Sequence, residues 1–263
     1  MSLLPKESLD QLRCSLCLNY LSVPPITTIC SHGKQHKCGR CSHINTPINN
    51  QDDIYEAIAK IGLFPCTYPN CEEILSWGQA AGHETNCPYR IMKCPVSWKC
   101  SDIVNVLELV EHCTKQHHSN VKENVLITPV NIIAEGKKKF TIVLLLKDGL
   151  PFLVYTVVTI QNVWINVFSL HPQENAKYQL ELISSSSNSC CLSFRNAIVP
   201  FDSRLNCKEC VLKECTNKLH QKAEDENNEK LDDFLQRSGF QKIKRELLAE
   251  LNLKELRYTV LLE

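Results

Sequence analysis

The chain has 263 residues, with 29 basic and 29 acidic side chains and a formal net charge of zero. That length has room for two or three domains. Neutrality removes the global electrostatic case for binding nucleic acid or an anionic membrane, and no run reaches the roughly eighteen apolar residues of a membrane span.

Sixteen cysteines raise the question of redox compartment. The opening MSLLPKESLDQLRC lacks a basic stretch followed by an apolar one, so a secreted disulfide framework is not expected. Eleven of the sixteen lie before residue 114, in closely spaced pairs interspersed with histidines. Reduced thiols that bind metal, in the cytoplasm or nucleus, fit that pattern best.

In chain order, the first signal is Cys14-x2-Cys17 followed by Cys38-x2-Cys41, two knuckle-type pairs with Cys30, His32 and His36 between them. Four thiolates make a closed tetrahedral zinc site. A further site has only Cys30 with His32 or His36, because between Cys41 and Cys66 there is no cysteine and the one histidine is His43.

Two quartets follow: Cys66-x4-Cys71-x11-His83-x3-Cys87 and Cys94-x5-Cys100-x11-His112-x4-His117. In each, eleven residues give length for a short strand or turn and the start of a helix. A histidine there meets one further ligand about a turn later, so both converge on one metal. The repeated eleven-residue gap makes a pair of zinc fingers the expectation. His118 is an alternative to His117, and Cys113 stands one residue out of register. Zn²⁺ is the expected cofactor, about three ions per chain. Trp77, Tyr68, Tyr89 and Trp98 come with few basic residues, so the fingers offer no nucleic-acid face.

Beyond residue 120 the composition changes. FTIVLLLKD (140–148), FLVYTVVTIQ (152–161), VWINVFSL (163–170) and KYQLELIS (177–184) are β-rich segments bounded by turn formers. They predict an antiparallel sandwich. Cys207, Cys210, Cys215 and His220 have near-knuckle spacing, read here as free thiols of an insertion. Gly136 to Lys139 is read as a solvated turn. Residues 221–256, with Leu231, Phe234, Leu235, Ile243, Leu247, Leu248 and Leu251 near helical spacing, predict one or two amphipathic helices broken near Ser238-Gly239. ELRYTVLLE (255–263) predicts a last strand.

In this order, the residues resemble the seven-in-absentia (Sina/Siah) family of RING ubiquitin ligases. LRCSLCLNYLSVPPITTIC (12–30) is similar to the opening of that family's RING, LFPCTYPNC (63–71) with GHETNCPYRIMKCP (82–95) to the junction of its two fingers, and EHCTKQHH (111–118) to the end of the second. The resemblance implies an α+β multidomain chain: a RING-like zinc domain over 12–60, tandem SIAH-type fingers over 61–119, and a TRAF-like substrate-binding β-sandwich with a helical insertion over 120–263. It also implies an E2 ubiquitin-conjugating enzyme as partner, anchored on Leu16 just before the second cysteine. Substrates or adaptors would bind the sandwich, with homodimers or heterodimers with family members. There would be no catalytic nucleophile, since a RING works by proximity and orientation.

Two departures stand out. The fourth ligand pair of a RING is absent, which predicts weak or lost intrinsic ligase activity and a mobile loop where that pair would sit. The family's aromatic segment ahead of the first long strand is replaced by VNIIAEGKKK (130–139), so no peptide-groove residues carry over.

Overall fold

A computed structural model describes residues 2–261, leaving out 130–138, 172–175, 185–188, 202–231 and single positions at 4, 31, 33, 43, 47, 98, 160, 234, 237, 238 and 252. The Cys207–His220 group, the Gly136–Lys138 turn, His43, the helical prediction before 232 and most of the substituted segment at 130–139 therefore lie outside the described residues. Two compact units form, Met1–Arg90 and Ile91–Glu263.

The first unit is built from short elements. These are β1 (Ser2–Leu3), α1 (Lys6–Gln11), β2 (Thr27–Thr28), β3 (His36–Lys37), β4 (Asn50–Gln51), α2 (Asp53–Ile61), β5 (Gly62–Pro65), β6 (Ile74–Ser76) and α3 (Gln79–Asn86). β2 pairs with β3 and β4, while β5 lies between β1 and β6. The core is small and threaded by thiols: Leu9 from α1 and Leu12 just after it meet Leu21, Ile26, Ala59 and Phe64 around Cys14, Cys38 and Cys41. A second cluster joins Val23, Leu75 and Ala80 to Cys66 and Cys87. Apolar groups this few do not offset chain entropy alone, so the ligand clusters inside them have to act as staples.

The second unit opens with the hairpin β7 (Ile91–Lys93) and β8 (Ile103–Asn105), then α4 (Val106–Gln116). Asn105 caps α4, accepting a hydrogen bond from Glu108 N–H at 2.9 Å. Then come β9 (Val121–Glu123), β10 (Val125–Pro129), β11 (Lys139–Lys147), β12 (Leu150–Val158), β13 (Asn162–Ser169), β14 (Lys177–Ser184), β15 (Cys190–Ala197), β16 (Val199–Pro200), β17 (Gln241–Lys244), α5 (Arg245–Glu250) and β18 (Leu253–Leu261). The four β-rich segments fall on β11 to β14. Lys147 pairs with Leu150, and Asp148 and Gly149 between them both have positive φ, 52° and 78°. That is the two-residue hairpin turn an Asp-Gly step favours.

Two sheets result. One has the order β10-β18-β14-β15; the other runs β16-β13-β12-β11-β9, with β17 also on β13. Their facing surfaces share one core, in which Val143, Phe152, Val154 and Ile165 meet Tyr178, Leu180, Leu256 and Tyr258. The alternate residues of the larger sheet belong to a second core. There Ile142, Leu144, Leu153, Tyr155 and Trp164 meet Met92, Cys94, Val96, Val104, Val106, Leu109 and Cys113 of the hairpin and α4. Buried on both faces, β12 and β13 read as nearly unbroken apolar runs, whereas β14 alternates over most of its length.

Residues 221–256 follow the helical prediction only in part. Among those described, Asp232, Asp233, Leu235 and Gln236 are helical, Gly239 at φ 76° interrupts the run where expected, Gln241–Lys244 is a strand and Arg245–Glu250 is an α-helix. Ile243 pairs opposite Val163 and is buried in the inter-sheet core, so sheet pairing overrides the helical spacing of its leucine neighbours. No helix among the described residues is long and apolar enough to cross a membrane.

Candidate metal centres

Zn²⁺ bound tetrahedrally at about 2.3 Å from sulfur and about 2.0 Å from nitrogen requires ligand atoms roughly 3.8 Å apart for two sulfurs and roughly 3.5 Å for sulfur and nitrogen. Three groups of four side chains meet that requirement, each with its ligand atoms within 4.8 Å of one another: Cys14/Cys17/Cys38/Cys41, Cys66/Cys71/His83/Cys87 and Cys94/Cys100/His112/His117.

The first centre joins two tight loops. Cys14 N–H bonds Asn19 O at 2.8 Å and Leu18 N–H bonds Cys14 O at 2.9 Å, with Leu18 at φ 61°. Cys38 and Cys41 flank a short turn, and Cys38 N–H donates to Cys14 Sγ at 3.4 Å. The sulfurs of Cys14 and Cys41 are 3.9 Å apart and those of Cys17 and Cys38 3.6 Å. Gly39 is required between them, because a Cβ there would lie 1.7 Å from Pro24 O. Burial pushes the Cys41 thiol up to about 12, while hydrogen bonds from Cys17 and then Cys38 hold Cys14 well below its ordinary value. Such a cluster shares protons until a cation displaces them, so metal binding releases protons.

Arg40 stands inside this turn. It donates to Cys38 Sγ at 3.5 Å, Tyr20 O at 2.8 Å and Ser22 Oγ at 3.0 Å. It also donates twice to Glu84, at 2.8 and 2.5 Å. Burial opposes its charge, but Glu84 more than compensates and holds the guanidinium above its ordinary pKa.

The second centre takes Cys66 and Cys71 from the turn between β5 and β6, and His83 and Cys87 from α3 and its end. Cys66 and Cys87 sulfurs are 3.9 Å apart, and His83 Nε2 is 3.5 Å from Cys71 Sγ and 3.2 Å from Cys66 Sγ. Burial pushes the Cys66 thiol up to about 12.

The third centre is held by the β7–β8 hairpin and α4. Cys100 Sγ lies 3.6 Å from His112 Nε2, and His112 Nδ1 lies 3.7 Å from Asp102, which turns Nε2 toward the sulfurs. His117 Nε2 is buried without a hydrogen-bond partner, an orphan nitrogen that a metal satisfies. His118 is exposed in the following turn and is not in the group. Cys113 is fully buried among core side chains; its thiol hydrogen-bonds to Cys94 and holds that thiol down to about 4.

All twelve predicted ligands are thus brought into three groups with donor sets and spacings suited to zinc. Each group supplies four protein ligands and leaves no open coordination position, the mark of a structural rather than a catalytic metal.

Cys30, His32 and His36 form no such group among the described residues. Instead, His36 is buried and stacks on Tyr55, ring centroids 3.8 Å apart, with Nδ1 3.4 Å from Asp52. Asp52 accepts from Thr28 Oγ1 at 2.7 Å and from Tyr55 N–H at 3.1 Å as the cap of α2, and Glu56 accepts from Ile26 N–H at 3.1 Å. Hydrogen bonds thus join β2 to β3 and β4 and to the start of α2.

Residues 57–126 match the family model of the Sina zinc finger. The match spans the second and third centres and supports a place in the Sina/Siah family. No curated protein matches the chain. Leu16 lies on the loop of the first centre, 39% exposed, with Leu18 and Ile44 also exposed nearby in sequence to its ligands. Spacing alone did not mark Arg40, Glu84, Asp52 or Asp102, whose partners are distant or whose side chains act on another ligand.

Proposed function

We propose that the chain is a Sina/Siah-like E3 ubiquitin-protein ligase. Its N-terminal zinc module would receive a ubiquitin-charged E2, and its C-terminal sheets, in the manner of a TRAF-like sandwich, would hold substrates or adaptors for ubiquitination and proteasomal degradation. The observation that carries this reading is the Sina zinc-finger match over 57–126, preceded by a separate four-cysteine centre whose loop presents Leu16. No nucleophile is needed, because the gain comes from orienting the thioester toward an acceptor. Extended peptides would add to an edge strand, β10 or β15, with main-chain hydrogen bonds giving affinity. Homodimers or heterodimers with family members, and a cytoplasmic or nuclear setting, belong to the same proposal.

A second reading has its own support. Among the described residues, Cys30, His32 and His36 form no four-ligand group, and His36 lies against Asp52 and Tyr55 instead, so the second metal site of a RING would be missing. The chain would then be an adaptor of low intrinsic activity that binds substrates or pairs with active relatives. Autoubiquitination with the zinc-loaded chain and a panel of E2 enzymes separates the two. Polyubiquitin chains lost on Leu16→Ala support the ligase. No chains with any E2, from protein retaining its zinc, support the adaptor.

A further inference from the structure

Helix α2 has an unusual exposed side. Its inner side is committed: Tyr55 stacks on His36, Glu56 accepts from Ile26 N–H, and Ala59 is fully buried in the core. The outer side carries Ile54, Ala57, Ile58 and Ile61, spaced i, i+3, i+4, i+7. The three isoleucines are 73%, 39% and 66% exposed. A surface helix normally turns polar residues outward at these positions. Here an apolar stripe roughly 10 Å long faces water instead.

Two exposed charges flank the stripe on one side, Asp53 at its start and Lys60 at its end. Lys60 Nζ is 3.9 Å from Glu56, a loose contact by a side chain that remains 57% exposed. Seven residues apart, Asp53 and Lys60 have nearly the same angular position on the helix. The edge is therefore complementary to itself when reversed. Against a second α2 running antiparallel, Asp53 of each copy meets Lys60 of the other. A parallel two-fold pairing would put the two charged edges on opposite sides of the pair, where neither charge meets its opposite.

We propose that this face of α2 is an interface between two copies of the chain, packed antiparallel about a two-fold axis. Ile54, Ile58 and Ile61 form its centre, and the reciprocal Asp53–Lys60 pairs set its direction. A two-fold contact of this kind closes on itself and does not propagate into fibres. The stripe exposes on the order of 400 Å² per copy, about half the area per partner of a standard stable interface. The contact therefore belongs with weak, reversible interfaces rather than obligate ones. The inference does not depend on the ligase reading.

The test uses the full zinc-loaded chain in sedimentation equilibrium, over a range of concentrations wide enough to follow the association. Ile58→Asp is expected to weaken the association at least tenfold while the zinc content stays that of the wild type, which shows that the module is still folded. Asp53→Lys and Lys60→Asp are each expected to weaken it severalfold. An equimolar mixture of these two variants should restore it, because in the mixed pair both edge contacts are attractive again. Any association through the C-terminal sheets is common to all samples and cancels in the comparison. Identical association of wild type and Ile58→Asp overturns the proposal, as it would if another part of the same chain covered the stripe. A mixture no stronger than either variant alone overturns the antiparallel arrangement.

Discussion

Arg40 grips Glu84 through two hydrogen bonds, and so ties the turn between Cys38 and Cys41 to the residue beside His83. The pair is nearly dry, with side chains 11% and 3% exposed. The first two metal centres are therefore mechanically one object, joined by a charge pair rather than by chain connectivity alone. Arg40 also brings positive charge to Cys38, where four thiolates on one Zn²⁺ leave a net negative site.

Removing one member of this pair should cost more than removing both. Arg40→Met leaves the Glu84 carboxylate buried without its cation, a loss of about 3–5 kcal/mol, whereas Arg40→Met with Glu84→Leu should recover much of it. Chelator extraction provides the readout. The single variant should release two of three zinc ions faster than wild type, with the third unchanged. Equal acceleration at all three sites would contradict the coupling.

Metal loss should have different consequences at the second and third centres. Cys66→Ser should unfold structure within residues 1–90 and leave the large sheet protected from hydrogen exchange. Cys94→Ser should expose the face of β11, β12 and β13 that Leu109 and Val104 cover. Zinc supplies much of the folding energy of such small modules, so both effects should be large. Hydrogen-exchange mass spectrometry of the two variants checks this, and unchanged exchange of β12 in Cys94→Ser would refute it.

The network around His36 should hold its loop without metal. Asp52→Ala removes the cap of α2 and the bond from Thr28, a loss of about 1 kcal/mol from the cap alone. Burial pushes the Asp52 carboxyl up, but hydrogen bonds from Tyr55 N–H and Thr28, together with His36, hold it below its ordinary value. A depressed carboxyl contributes stability above its unfolded pKa and loses it as pH falls through the folded one. Asp52→Ala should therefore flatten the acid limb of the unfolding curve of this unit. An unchanged acid limb would count against the role assigned to Asp52.

Gly39→Ala should be as damaging as loss of a ligand. Its Cβ would meet backbone rather than a flexible side chain, so the turn carrying Cys38 and Cys41 would have to open. Zinc analysis should show one ion fewer per chain. Retention of all three would mean that the turn relaxes without losing its ligands.

The ligand sets were readable in the sequence because metal binding is a local demand. Four side chains must converge within a few ångströms, and short loops restrict which spacings allow it, so Cys66 to Cys87 and Cys94 to His117 could be grouped from spacing. The strands from Phe140 to Ser184 were readable for a similar reason, since β-branched runs between turn formers have few other uses. Tertiary structure alone decided what lies on the second face of the large sheet. Unbroken apolar runs in β12 and β13 say that both faces are covered, but only the shapes of the partners select the finger of Cys94 and Cys113 as the cover. The same holds for Ile243, taken into a strand by its place opposite Val163, and for Arg40 and Glu84. Their interaction depends on two surfaces meeting, and no spacing along one chain encodes that.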